Sequence, residues 1–543
     1  MFVQATKSRR KNKIYTSHLV RESFRTAKGP RSRTVCNISG LPAEVREIIG
    51  ATLQGKKFVP LSELELSSAQ SYGGLAVLRE SWKRYRLDYL FEGIGSVRQR
   101  GLLQAMIFGR ILFPCAKLAL AEQAGGTALA SACGLDPKTE TFREDDLYEA
   151  MDALNGQWVA LEKGLYERAF GNQAVRIVLY DLTSVYFEGS GPKNIAQYGY
   201  SRDHRDDRPQ VLLAVATDTE GTPIHLEVLR GNRGDTTTLK GLLETLRRRF
   251  GIREVVFVFD GGMSSRFNLQ EMEQKQLHYI TRLSSKSLSK LLQELPKDQQ
   301  PELWDRTRLM DVISEGKRYV IAGGPWRQQR DAQRRTARLF KAEEKLKKLA
   351  AVERKKVDPQ KLASQTGRSL QALKAHKYFD YRVDEKGQLH WNRKTDLITA
   401  EEMLDGWYLL HTDLPAKECP SSEVLKHYKN LLEVEEAFCQ LKSYLQVRPV
   451  FHWRTDRVRN HMRICFLAYW LSAKLGKEWR AQGEKGETPR LLRLMQTIRV
   501  GTLCIKGKIA GRLMTQIPQN LNALLKKLDM LKLFAQPPDW IAL

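Results

Sequence analysis

Between residues 175 and 283 apolar residues gather in short β-like runs. The runs VRIVLY (175–180), QVLLAVAT (210–217), PIHLEVLR (223–230), EVVFVFD (254–260) and HYITRL (278–283) predict strands, and DTEGT, opened by Asp218, predicts a hairpin turn between the second and third. Between the third and fourth the period becomes helical. Asp235 is placed to cap that helix, TTTLKGLLETLRRRF fills it, and Gly251 follows its basic last turn. The predicted order is β-β-β-α-β-α-β, a small sheet with crossover helices.

The flanks follow a different rhythm. From about 61 to 172, LRESWKRYRLDYLF, RGLLQAMIFGRILF and DDLYEAMDALNGQWVALEKGLYERAFG place apolar residues three and four apart, so a helical module is predicted there, suited to binding DNA, to dimerisation or to packing alone. From 421 onward helices return in SEVLKHYKNLLEVEEAFCQLKSYL, RVRNHMRICFLAYWLSAKLG and NLNALLKKLDMLKLF, with a hairpin near TLCIKGKIAGRLM. Residues 284–412 continue neither rhythm. They hold a basic stretch, 327–361, with 13 Lys or Arg against five acids, and short β-like pieces such as KYFDYRV, QLHWN and GWYLLHTDL, which predict an inserted subdomain. The blocks are therefore 1–60, a basic arm; 61–172, helical; 173–283, the small sheet; 284–412, the insertion; and 413–543, helical again.

Composition adds a partner to this picture. The chain has 543 residues, more than one hydrophobic core usually supports, and 42% hydrophobic with 28% charged residues marks an ordinary globular protein. Its net charge is +27 and its pI near 9.7, which favours a polyanion, most often nucleic acid, over a membrane surface. Residues 1–34 alone carry ten Lys or Arg and one acid, Glu22, and read either as a phosphate-neutralising arm or as a solvated tail. The seven cysteines lie far apart with no CxxC pair, which fits free thiols in a reducing compartment. MFVQATKSRRKNK lacks a signal-peptide core and no apolar run is long enough to span a bilayer, so a cytoplasmic protein is expected.

Candidate chemistry lies where apolar runs stop. VLYDLTSVYFEG reads as a strand ending on Asp181, and VVFVFDGGM as one ending on Asp260. Singly, each reads as a turn or cap residue; on neighbouring strands they would face each other and suit a divalent cation. Gly261 and Gly262 form a side-chain-poor loop that lets a substrate backbone approach. A third acid comes from HYKNLLEVEEAFCQLK. On one continuous helix Tyr428, Glu435 and Lys442, seven residues apart, stay within roughly 40° of one another, whereas Glu433 and Glu436 point elsewhere. Amphipathic packing with coincidental spacing is the competing reading. Trp391 and Trp407 read first as core residues, and His452 and His461 lack metal-ligand spacing.

Taken together these motifs resemble the DDE transposases of bacterial insertion sequences, specifically the group named after insertion sequence four, whose glutamate helix carries Y-x(2)-R-x(3)-E-x(6)-K. Tyr428, Glu435 and Lys442 match, and Leu431 stands at the arginine position. The likeness extends to DLTSVYFEG, YGYSRDHRDDRPQ, LRGNRGDTTTL, FDGGM and LKSYLQVRPVFHW followed by RVRNHMRICFLAYWL, covering roughly 175–283 and 405–472.

The resemblance implies an α/β fold: an RNase H-like mixed-sheet core with an inserted subdomain, flanked by helical regions. It implies that Asp181, Asp260 and Glu435 hold two Mg²⁺ or Mn²⁺ ions, one activating a water or 3′-hydroxyl and the other stabilising the leaving oxygen, with no covalent enzyme intermediate. It also implies cleavage at terminal inverted repeats and joining of 3′ ends to target DNA, double-stranded DNA as partner, and a homodimer on DNA. Tyr428 and Lys442 would contact DNA, and Arg202, Arg205 and Arg208, in the loop after the first strand, would reach phosphates or remain solvated. The alternatives are a catalytically retired DNA-binding derivative and another RNase H-like nuclease such as a resolvase.

Overall fold

The computed structural model describes residues 1–10, 13–56, 58–136, 143–171, 173, 175–234, 239–252, 255–275, 277–295, 309–351 and 358–541. The predicted cap Asp235 lies outside them.

At the amino terminus β1 (Phe2–Arg10), β2 (Lys13–Thr26) and β3 (Gly29–Asn37) pair in sequence order into an antiparallel sheet, followed by α1 (Ala43–Leu53). The expected arm is thus folded. Its many charges sit on exposed strand positions, and alternation there is polar on both faces, so the period-two signal is absent from the sequence. A second surprise is β4 (Leu64–Ser71), inside the block expected to be helical throughout. It precedes the helices α2 (Gly73–Arg84), α3 (Leu87–Phe91), α4 (Val97–Leu112), α5 (Lys117–Ala124), α6 (Leu129–Ala132), α7 (Glu144–Asp152) and α8 (Trp158–Phe170).

The central sheet begins with β5 (Ile177–Tyr186), β6 (Gln210–Thr217), β7 (Pro223–Arg230), α9 (Leu239–Phe250), β8 (Val256–Phe259), α10 (Arg266–Gln274) and β9 (His278–Leu283), the β-β-β-α-β-α-β order expected. Asp218 makes the hairpin turn, its Oδ1 accepting the Glu220 and Thr222 N–H groups at 2.9 and 2.7 Å. Beyond β9 come α11 (Ser285–Glu294), β10 (Met310–Ser314) and β11 (Lys317–Ala322). Next are α12 (Pro325–Ala350), α13 (Pro359–Ala372), β12 (Phe379–Val383), β13 (Leu389–Arg393) and α14 (Thr395–Met403), then β14 (Tyr408–Thr412). The spatial order of the large sheet is β10-β11-β14-β9-β8-β5-β6-β7, with β5, β8 and β9 mutually parallel and the remaining pairs antiparallel.

This order redraws the insertion. Strands β10, β11 and β14 lie within 284–412 but extend the central sheet, because Leu409 and Leu410 bury themselves alongside β9 and Ile321 pairs in turn with Leu409. Only α12 to α14 and the β12–β13 hairpin stand apart, with a small core of their own around Leu339, Leu346, Leu370 and Phe379. The basic helix α12 packs one apolar stripe there, and its Arg335 makes a buried bidentate pair with Asp405 at 2.6 Å. Trp407 is buried and Trp391 half-buried, both in packing roles.

The carboxy-terminal part holds α15 (Ser421–Lys429), α16 (Leu432–Cys439), a wider π turn at Gln440–Tyr444, the long buried α17 (Thr455–Ala481), and α18 (Thr488–Met495). The hairpin β15 (Arg499–Ile505) and β16 (Lys508–Met514) forms as expected, and β15 pairs with β4 across more than 400 residues of chain. Helix α19 (Gln519–Lys527) follows. No single helix among the described residues is long and apolar enough to cross a membrane.

Candidate active site

Strand parity decides where the two aspartates point. In β5, Val178, Tyr180 and Leu182 enter the core beneath α9 and α10, whereas Leu179 and Val185 enter the core shared with α16 and α17. Asp181 has the parity of Leu179, so it faces α16. In β8, Phe257 and Phe259 face α9 and α10 while Val258 faces the other way, and Asp260 shares the parity of Val258. Register then sets them side by side. The parallel ladder ends at Tyr180 opposite Phe259, so Asp181 and Asp260 occupy the next rung.

β5 itself does not end on Asp181 as the apolar run implied. It continues to Tyr186, because its other neighbour β6 keeps pairing from Asp181↔Val215 to Tyr186↔Gln210. What stops at Asp181 is β8, and that one-sided ending opens the rim of the sheet. Asp260 caps a short helical turn by backbone position only and spends no carboxylate oxygen on it. Gly261 is explained by packing rather than substrate approach, since a Cβ there would lie 2.5 Å from the Arg282 carbonyl oxygen.

Glu435 arrives on α16, and electrostatics tie the acids together. Burial first, and then the charges of Asp260 and Glu435, push the Asp181 carboxyl up to about 7 against the pull of the Leu182 N–H and Arg202. Burial and Asp260 likewise raise Glu435. Glu433 and Glu436 turn away. Glu433 sits against Gly221 in a cavity of about 270 Å³ that Glu436, Tyr469 and Arg480 also line.

The helix expected to align Tyr428, Glu435 and Lys442 is not continuous. α15 ends at Lys429, a tight turn follows in which Leu431 N–H donates to the Tyr428 carbonyl at 3.1 Å, and the π turn loosens the backbone again at Lys442. Tyr428 still reaches the acids. Its hydroxyl is pushed up to about 12 by burial and by Asp260, opposed by Arg282, which is also its hydrogen-bond partner, and by Arg327. Lys442 is engaged elsewhere: with Arg448 it clamps the buried Asp203, at 2.8 and 2.6 Å.

That clamp anchors the loop carrying the three arginines. Ser184 Oγ accepts the Arg202 N–H at 2.8 Å, which brings Arg202 to Asp181. Arg205 lies over the Tyr186 ring and forms a bidentate pair with Asp207, and Arg208 bonds Asp207 and Glu188, so both are partly neutralised on the surface. His452 and His461 are buried, beside Lys117 at 3.2 Å and the Val447 carbonyl at 3.1 Å respectively.

Sequence reasoning missed two cations. Arg282 on β9 and Arg327 at the start of α12 lie 5.8 and 4.4 Å from the ring of Tyr408, which itself packs on Tyr428. The only signal was their charge at the end of one apolar run and the beginning of the basic stretch.

Asp181, raised chiefly by burial, thus shares an all-oxygen electrostatic site with Asp260 and Glu435 at the exit ends of two parallel strands, the donor type that suits a divalent cation. Residues 173–471 match the family model described as Transposase DDE domain. That is more than half of the chain, and the protein belongs to this family of transposases. No functionally curated protein matches the sequence.

Proposed function

We propose that the protein is the transposase of a bacterial insertion sequence, of the group named after insertion sequence four, cutting DNA at the element's terminal inverted repeats and joining the freed 3′ ends to target DNA. The observation that carries this reading is the meeting of Asp181, Asp260 and Glu435 from β5, β8 and α16 in one electrostatic site. Strand order supports an RNase H-like core: β7-β6-β5-β8-β9 has an antiparallel meander on one side of β5 and parallel strands on the other.

The three carboxylates fit Mg²⁺ or Mn²⁺, because they offer hard oxygen ligands and their mutual repulsion is relieved by a dication. When bound, such ions supply activation of the attacking hydroxyl and charge neutralisation at the leaving oxygen. The chain supplies position. Tyr428 and Arg282 border the acids on one side and Arg202 on the other, flanking the path of a phosphodiester backbone. Arg327 lengthens that path. Lys442 holds it through Asp203, and Arg205 and Arg208 are available to exchange Asp207 for phosphate. Two element ends must meet, which calls for a homodimer on DNA, working on the nucleoid in the cytoplasm.

The test is a cleavage and strand-joining assay with Mg²⁺ on DNA carrying the inverted repeats that flank the gene. Asp181→Ala is expected to lose both reactions while still binding DNA. Unchanged activity in that variant would refute the assignment, and metal-dependent cutting of branched DNA without joining would point to a resolvase instead.

A further inference from the structure

On the other side of α15 from Tyr428, chemistry of a different kind converges. The chain leaves β14, turns through Cys419 and Pro420 and enters α15, so Cys419, Glu423 and His427 follow one another at intervals of four and share one face. The Cys419 sulfur, a Glu423 carboxylate oxygen and a His427 ring nitrogen all lie within 4.8 Å of one another.

Each donor is uncommitted or held in place. Cys419 is a buried free thiol, and its position is fixed by its own backbone: its carbonyl accepts from Arg318 at 2.8 Å and its N–H donates to Pro415 at 3.0 Å. Nδ1 of His427 is shielded from solvent yet has no hydrogen-bond partner among the described residues, an arrangement that is costly unless something takes up the lone pair or proton. Glu423 is exposed and enters no ion pair among the described residues, so it is free to turn inward.

The three also line the mouth of an open cavity of about 910 Å³, walled by Arg176, Val256 and His278 at the starting ends of the parallel strands. Asp181 and Asp260 lie at the opposite, exit ends. Ions can therefore reach this place without passing the carboxylate site.

We propose that Cys419, Glu423 and His427 form a second metal site, of zinc type, that ties the loop after β14 to helix α15. Thiolate and imidazole are soft and borderline donors that select Zn²⁺ over the Mg²⁺ suited to an all-carboxylate set. A tetrahedral shell places such atoms roughly 3.3–3.6 Å apart, inside the 4.8 Å that bounds the three here, and the exposed Glu423 can rotate to meet the other two donors. On binding, the Cys419 thiol releases its proton to solvent, its sulfur bonds the ion, and water fills the fourth position. The tie has a consequence for the reaction: α15 carries Tyr428 beside His427 and runs directly into the turn that delivers Glu435.

Co²⁺ added to the metal-stripped full-length protein reports this site by itself, because only a thiolate ligand gives a sulfur-to-cobalt charge-transfer band. A band saturating at one equivalent, displaced by Zn²⁺, is expected. It should vanish in Cys419→Ser and persist in Asp181→Asn, which separates it from the carboxylate site whether or not that site is catalytic. Since loss of outer-shell partners alone costs about 10–100-fold in affinity, Glu423→Gln and His427→Gln should weaken Co²⁺ binding by at least about tenfold. Glu423 is exposed, so its variant tests the site without risk to folding. Absence of the band in the parent protein, its survival in Cys419→Ser, or unchanged affinity in Glu423→Gln would overturn the proposal.

Discussion

Asp181 stores the tension of the candidate site. Its carboxyl titrates at about 7 in the folded protein against 3.8 ordinarily, because burial and two neighbouring acids disfavour its charge. Between about pH 4 and about pH 7 the native state therefore keeps a proton that the unfolded chain has lost, so stability falls as pH rises through that window. Asp181→Asn abolishes the penalty. Without divalent ions this variant is expected to be more stable than the parent by about 1–3 kcal/mol near pH 8 and little different near pH 4, as thermal melts at both pH values would show. Adding Mg²⁺ should narrow the gap by stabilising the parent alone.

Leu431 is the residue at which this chain departs from the signature it resembles. It is buried in the main core, so the position has no room for a charge. Leu431→Arg should cost about 2–4 kcal/mol in denaturant unfolding and improve no reaction step. The cation enters from other elements instead. Arg282→Ala is expected to weaken DNA binding and to lower the salt-dependence slope by about 0.9, the share of one phosphate contact, in titrations at several salt concentrations.

At the scale of elements, three segments distant in sequence present one acid each: β5 and β8 through register, and α16 through a broken helix. The sequence offered the two acids where apolar runs stop but left open whether their strands are neighbours, which the β5–β8 register decides. The break was not readable, because Tyr428, Glu435 and Lys442 keep their sevenfold spacing in the sequence whether or not the backbone tightens at Asn430 and widens at Gln440. Likewise the insertion's basic stretch was legible from its composition, but the Arg335–Asp405 pair that anchors α12 spans 70 residues. Asp405→Asn leaves that buried guanidinium with the more exposed Glu402, 3.3 Å away, as its remaining carboxylate among the described residues. A loss of about 3–5 kcal/mol is expected, confined to the insertion. Hydrogen exchange should show α12 to α14 opening more readily while β5 and β8 stay protected.

Across the whole molecule, the two ends of the chain behave oppositely. Among the described residues strands β1 to β3 pair only with one another, so deleting residues 1–53 should leave the melting of the remainder nearly unchanged while reducing DNA affinity and its salt dependence. The carboxy terminus is woven into the fold. β15 pairs with β4, Tyr72 packs on Phe534 and Trp540, and α18 lies against α2. Truncation before Arg499 should expose that core and lower the cooperativity of unfolding.

The sequence by itself determined the local elements and the chemistry on offer. Short apolar runs marked β5 to β9, Asp218 and Gly251 marked their turn and helix stop, the charge pointed to a polyanion, and the motifs around Asp181, Asp260 and Glu435 marked a family resemblance. These are decided by neighbours a few residues away, which is why they are legible. Tertiary structure decided what depends on distant partners: that the amino-terminal charges ride on a sheet, that β4 finds β15, that β10, β11 and β14 extend the core, and that Arg282 and Arg327 reach Tyr428 while Lys442 turns to Asp203. A side chain's charge is written in the sequence, but its partner is set by strand order and parity, which only the assembled fold fixes.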